Sequence, residues 1–246
     1  MMERDIHLTA SDLLNALQFQ PGDFGNIALI SGQPHRVMMC LDQIDNPIKN
    51  FETMGYTFWT GEFEGKKVTV GNGGMYAPDT ALVTEILCTG GINYFIRLGS
   101  CGALKAEINV GDIIIPDFAI RGDGVTRSYV KDDFIPNSDN NLNDILFTLA
   151  SKKLKCHKGG LWTTDAILKE TKEVVNPVIE KGAIAVDMVT SPFLTITNVY
   201  NKKAAAILAV SDNIITGEIG FEDIRFFDAE YKIIETAFEL IREIDV

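Results

Sequence analysis

Short runs of Ile, Val, Leu and Ala, each giving way to a segment of helical spacing, constrain this chain more than any other feature. The runs fall at 26–31, 94–98, 110–116, 160–164, 183–188 and 204–210. Continuous apolar runs of this length are too short for buried helices and read as strands covered on both faces. Between them the spacing predicts helices over about 37–44, 78–89 and 142–154, one through Phe193 and Ile196, and a C-terminal helix. In that last helix Phe227, Tyr231, Ile234, Phe238 and Ile241 form one stripe, which reads as core packing. A short helix capped by Ser11 opens the chain, and Glu64-Gly65 turns a hairpin within 52–72. Strands alternating with helices imply right-handed crossovers and an α/β fold, a largely parallel or mixed central sheet flanked by helices. No linker, repeat or low-complexity tract divides the chain, so residues 1–246 are expected to form a single domain.

Composition narrows the partners. With 246 residues and 46% hydrophobic content the chain can bury a large core. Its net charge of −12 disfavours nucleic acid or an anionic membrane surface as a partner. No run approaches a membrane span, and the opening residues lack the apolar core of a leader. Cys40, Cys88, Cys101 and Cys156 are widely separated and there are only three His, so no metal is expected. Reduced thiols suit the cytoplasm.

Polar residues collect where strands end: Arg36, Arg97, Ser100, Asp165, Asp187 and Asp212. In α/β sheets that rim is where ligands bind. Arg97 interrupts an apolar strand and is followed by Gly99, Ser100 and Gly102. A guanidinium fork with a hydroxyl and free backbone N–H groups suits an anion, and an Arg satisfied by a buried carboxylate fits the pattern equally well. The loop 71–75 is glycine-rich but fits neither a dinucleotide fingerprint nor a P-loop. The polar, irregular segment 120–141 is the candidate for a mobile loop over a site.

These residues carry a resemblance. Gly32-Gln33-Pro34-His35-Arg36 is similar to the Gly-Asp-Pro-x-Arg element of hexameric-type nucleoside phosphorylases, and Arg97-Leu98-Gly99-Ser100-Cys101-Gly102 to their Arg-x-Gly-Ser-Cys-Gly element. Val186-Asp187-Met188 resembles Val-Glu-Met-Glu, and Ser211-Asp212 the Ser-Asp before the last helices. The order and spacing match along nearly the whole chain.

The resemblance implies a phosphorylase-like fold and phosphorolysis of a nucleoside, purine favoured, to free base and a pentose 1-phosphate. It implies phosphate held by Gly32, Arg36, Arg97 and Ser100, as co-substrate and with no cofactor. It implies nucleoside contacts from His7 (lent by a neighbouring subunit), Asp165, Ile167, Asp187, Met188, Ser211 and Asp212. Asp212 would protonate the leaving base. A homodimer or a homohexamer built as a trimer of dimers follows.

Four positions depart from the family pattern. Met54 stands where a third phosphate Arg is usual, Val189 where a carboxylate grips the ribose hydroxyls, Gln33 for Asp, and Ile167 for an aromatic. Uridine phosphorolysis, a hydrolytic nucleosidase and a homologue that only binds nucleoside are the alternatives.

Overall fold

The computed structural model describes residues 6–20 and 22–245; the opening residues 1–5, read above for a leader, lie outside that set. Its strands are β1 (Ile27–Ser31), β2 (Asp45–Thr53), β3 (Tyr56–Phe63), β4 (Lys66–Asn72), β5 (Tyr94–Ala103), β6 (Ile113–Gly122), β7 (Cys156–Thr164), β8 (Ala183–Asp187), β9 (Lys203–Asn213) and β10 (Glu218–Ile219). The helices are α1 (Ala10–Ala16), α2 (Pro34–Leu41), α3 (Ala77–Thr89), α4 (Asn140–Ala150), α5 (Lys172–Glu180), α6 (Thr190–Val199) and α7 (Ile224–Glu243). All the strands join one sheet in the order β10-β9-β6-β7-β8-β5-β1-β4-β3-β2, and β9 also pairs with β5.

That extra pairing bends part of the sheet into a closed ring, β5–β9–β6–β7–β8 and back to β5. Inside the ring sit Cys101, Ile114, Leu161, Ile184, Ala206, Leu208 and Val210, a small dry core of its own. Strand alternation divides β9 cleanly: Ala206, Leu208 and Val210 face the ring interior, while Ala205, Ile207 and Ala209 join the core beneath α4 and α7. A second large cluster on the other face joins α1, α3 and α6.

Strand β5 changes neighbours along its length. Its first half pairs with β1 up to Arg97, and only at Gly102 does the same strand meet β8. Residues 98–101 therefore have no ladder partner on that side among the described residues. A gap where two neighbours diverge is the crevice in which α/β sheets place ligands.

Several expectations need correction. Half of the strand pairings are antiparallel, so of the two sheets expected, largely parallel or mixed, the mixed one is found. The edge strand β2 and the helix α5 carry no clear signal in the sequence. Strand β2 is mostly exposed and contains Pro47 near its start, as edge strands tolerate. Helix α5 contains Pro177 and buries only Val175 and Val178. The C-terminal stripe is displaced: Ile234, Phe238 and Ile241 are buried, but Phe227 and Tyr231 are about half exposed. At a period of 3.6, the line through Ile241 and Phe238 reaches Glu230 and Phe226, which are buried.

Segment 120–141 is tied down rather than free. Asp123 accepts from the Thr126 N–H and from the Ser191 hydroxyl, and Arg121 donates to the Lys131 and Phe134 carbonyls. The Tyr129 hydroxyl donates to Glu85.

Candidate active site

The gap beside β5 opens into a cavity of about 640 Å³. Strand β1 delivers Gly32 to it, the first turn of α2 delivers His35 and Arg36, and β5 delivers Arg97 and Ser100. Asp187, Met188 and Val189 come from the end of β8 and the turn after it, and Ser211 and Asp212 from the end of β9. Ile167, Leu168 and Glu170 line the cavity from the segment between β7 and α5.

Local sequence explains how the chains approach so closely. Gly32 stands where a Cβ would come within 2.7 Å of the Gly74 carbonyl oxygen, and Gly74 itself has φ near +87°, a region open to glycine. A Cβ on Gly102 would lie 2.9 Å from Asp212 Oδ2, so the second glycine of the central motif makes room for that carboxylate.

The two arginines differ sharply. Arg36 is buried and already paired: its Nε lies 2.7 Å and its Nη2 2.6 Å from Glu230 Oε1 on α7. His35 Nε2 reaches the same oxygen at 3.1 Å. Arg97 is equally buried, yet its Nε and Nη1 have no hydrogen-bond partner. Burial pulls the Arg97 guanidinium down to about 10, with Asp187 opposing that and Arg36 adding to it. It remains charged at neutral pH. An orphaned buried cation is costly and calls for an anion at this point. Of the two possibilities left open for Arg97, a buried carboxylate bonded to it is not found among the described residues; it is Arg36 that has one.

Carboxyl groups line the same cavity. Burial raises the proton affinity of Asp212, against a 2.7 Å hydrogen bond from the Ser211 hydroxyl that favours its charged form. Glu170 is pushed up to about 7 by burial and then by the charge of Asp212. Asp187 is engaged differently: it accepts from the Thr163 and Thr190 hydroxyls at 2.8 and 2.6 Å and from the Val189 and Thr190 N–H groups. It holds the start of α6, and the buried Val189 side chain offers no polar group beside it. Cys101 borders the cavity, but burial raises its thiol well above the ordinary range, so it stays protonated.

Two predicted residues are not brought here. Asp165 is exposed and accepts from the Gly124 N–H at 2.8 Å, outside the cavity. His7 lies on an exposed segment ahead of α1, also away from it. Neither Met54 nor any residue of 120–141 lines the cavity. The sequence reading missed Glu230, Glu170, His35 and Phe227. A charged residue beside Ala229, on the buried side of an apolar helix, was the available signal for Glu230.

Among the described residues no group of His, Cys, Asp and Glu is arranged to hold a metal, and no helix is long and apolar enough to cross a membrane. The cysteines are unpaired, with Cys40, Cys88 and Cys101 buried.

A ring-closed mixed sheet with an anion-seeking arginine and an elevated acid in one cleft defines an α/β enzyme scaffold for small anionic and polar guests. The sequence profile of the phosphorylase superfamily matches residues 26–244, and the chain belongs to that superfamily. Similar curated proteins include the DeoD-type purine nucleoside phosphorylases of Jannaschia sp. (strain CCS1) and of Bacillus mycoides (strain KBAB4). The first is 28% identical over 205 residues, covering 80% of this chain and 86% of that protein. The second is 28% identical over 206 residues, covering 82% and 88%. Among solved structures, uridine phosphorylase from Vibrio fischeri ES114 is similar at a TM-score of 0.82 and 21% identity, over 93% of this chain and 96% of that one.

Proposed function

We propose that the protein cleaves the N-glycosidic bond of a nucleoside with phosphate, releasing the free base and a ribose or deoxyribose 1-phosphate. One observation carries this: the buried Arg97, whose Nε and Nη1 have no hydrogen-bond partner, lines the same cavity as Asp212. Phosphate held by Arg97, Ser100 and the backbone at Gly32, beside the Glu230-paired Arg36, would attack the anomeric carbon. The carbon–nitrogen bond breaks with its electron pair passing to the base. The phosphate charge stabilises the developing oxocarbenium ion. Asp212 gives its proton to the base at N7, with Ser211 orienting the carboxyl, which favours a purine. Met188 packs beneath the pentose and Ile167 against the base.

The names of the relatives at 28% identity support a purine. Uridine is the second reading: Trp162-Thr163-Thr164-Asp165-Ala166 and Lys169-Glu170-Thr171 resemble a subgroup often labelled uridine phosphorylase, and Glu170 lines the cavity. No cofactor is required; phosphate is a co-substrate. We place the whole chain in one phosphorylase-like domain working in the cytoplasm as a homodimer or homohexamer, in which His7 reaches a neighbour's pentose. In this reading Asp187 positions the turn carrying Met188, and Asp165 steadies the loop at Gly124 without touching substrate.

The test is chromatography of the base released from inosine, adenosine, guanosine and uridine with and without phosphate. Release should occur only with phosphate, and Arg97→Ala should lower kcat/KM by about a hundredfold or more. Equal release without phosphate, or none from any nucleoside, rules the proposal out.

A further inference from the structure

The anion end of the cavity is electrically unusual. Two guanidinium groups line the cavity, from Arg36 and Arg97, against four carboxyl groups, from Glu170, Asp187, Asp212 and Glu230. Glu230 is the one that touches an arginine of the anion end. It is almost wholly buried, and three nitrogens, from His35 and Arg36, converge on its Oε1. The remaining Arg36 nitrogen, Nη1, lies 3.4 Å from Ser31 Oγ and 3.5 Å from the Leu98 carbonyl. So no arm of Arg36 is idle, while Arg97 keeps two free.

A carboxylate buried against one of two arginines cancels much of the field that arginine would exert on a guest. It also fixes the guanidinium by two short contacts, so Arg36 cannot swing to embrace an anion without leaving Glu230 buried and short of its arginine, a costly state. Of the two arginines, Arg97 alone thus has no carboxylate hydrogen-bonded to it.

From this we infer that Glu230 is a specificity-determining residue for the attacking oxyanion: it restrains Arg36 so that the pocket takes phosphate as its monoanion in preference to the dianion. This rests on the phosphorolytic reading above. The titratable and charged groups lining the cavity are His35 and Arg36 from α2, Arg97 and Cys101 from β5, Asp187 from β8, Asp212 from β9 and Glu230 from α7, with Glu170 from the segment before α5. As pH rises through the second ionisation of phosphate, the monoanion is lost and binding weakens. Ionisation of Glu170 acts in the same direction, so it needs its own control.

The experiment is calorimetric titration with inorganic phosphate at pH 6, 7 and 8 on the wild-type protein, Glu230→Gln and Glu170→Gln. Phosphate-dependent base release by the wild-type protein is measured in parallel. The wild-type affinity should fall steadily above the phosphate ionisation. In Glu230→Gln, which keeps the shape of the side chain, phosphate at pH 8 should bind about tenfold or more tighter and the pH dependence should flatten. In Glu170→Gln the decline should persist. A wild-type affinity that is constant or rises from pH 6 to 8 overturns the inference without need of any variant. So does an unchanged slope in Glu230→Gln, or a slope abolished in Glu170→Gln. Base release that ignores phosphate at every pH removes the phosphorolytic reading itself, a separate result from any of these.

Discussion

At the scale of single residues, the cleft works by setting neighbours of like type apart. Arg36 and Arg97 are both buried, yet one is saturated by Glu230 and the other is left open. Asp187 and Asp212 both end strands, yet one is clasped by four donors and the other is raised by burial. Such divergence separates structural from chemical roles. A prediction follows for Asp212. Its carboxyl has a raised folded pKa, so the protonated, proton-donating form is present at low pH and is lost as pH rises through that value. Turnover of a purine nucleoside should therefore decline on the alkaline side, and Asp212→Asn should lower kcat by about a hundredfold or more and abolish that limb. Steady-state pH profiles with inosine check both. An Asn variant with the wild-type profile would remove Asp212 from the chemistry.

Between secondary-structure elements, glycine spacing governs what fits. Gly102 in β5 sits across the ladder from Asp212 in β9, and a side chain there would meet Oδ2 and the Ile214 methyl. Gly102→Ala should cost roughly 1–3 kcal/mol of stability through overpacking. It should also depress kcat more than phosphate KM, because the displaced group is the acid and not the anion fork. Denaturant unfolding and initial-rate kinetics separate the two effects.

The strand–helix alternation was readable because each buried strand is a continuous apolar run, and the strand-end polar set could be listed for the same reason. What could not be read were features without periodic signal. Three of the five antiparallel pairings involve β5 or β9, each of which pairs with three strands, a long-range choice that no local pattern encodes; the other two belong to the local β2–β3–β4 meander. Phe227 and Tyr231 share the apolar spacing of α7, but their positions fall one step around the helix, and Phe227 borders the cavity instead of the core. Glu230 stayed hidden because a helix is read for its apolar face, and its partner Arg36 lies 194 residues away in sequence. The tethering of 120–141 rests on side-chain acceptors such as Asp123, which composition alone presents as loop polarity.

For the molecule as a whole, an orphaned buried cation is a standing cost that a bound anion relieves. A ligand that prefers the native state raises its stability, by about 2.7 kcal/mol at a hundredfold excess over Kd. Phosphate should raise the melting temperature of the wild-type protein by about 5 °C or more. Sulfate at equal ionic strength provides the comparison for a permanently doubly charged oxyanion, and it should raise the melting temperature less. Arg97→Ala should abolish the phosphate response.

Strands β5 and β9 run in parallel register from Tyr94 and Lys203 to Ala103 and Asn213, with a single slip after Cys101. The arginine fork and the acid are thereby mounted on one rigid rule, their separation dictated by main-chain hydrogen bonds and not by the posture of a flap. A guest must match that built-in gauge from the moment it enters. The outer lip, where Leu168, Ile219 and Phe221 stand exposed, is then the part of the cavity that can be exchanged without disturbing the scale beneath.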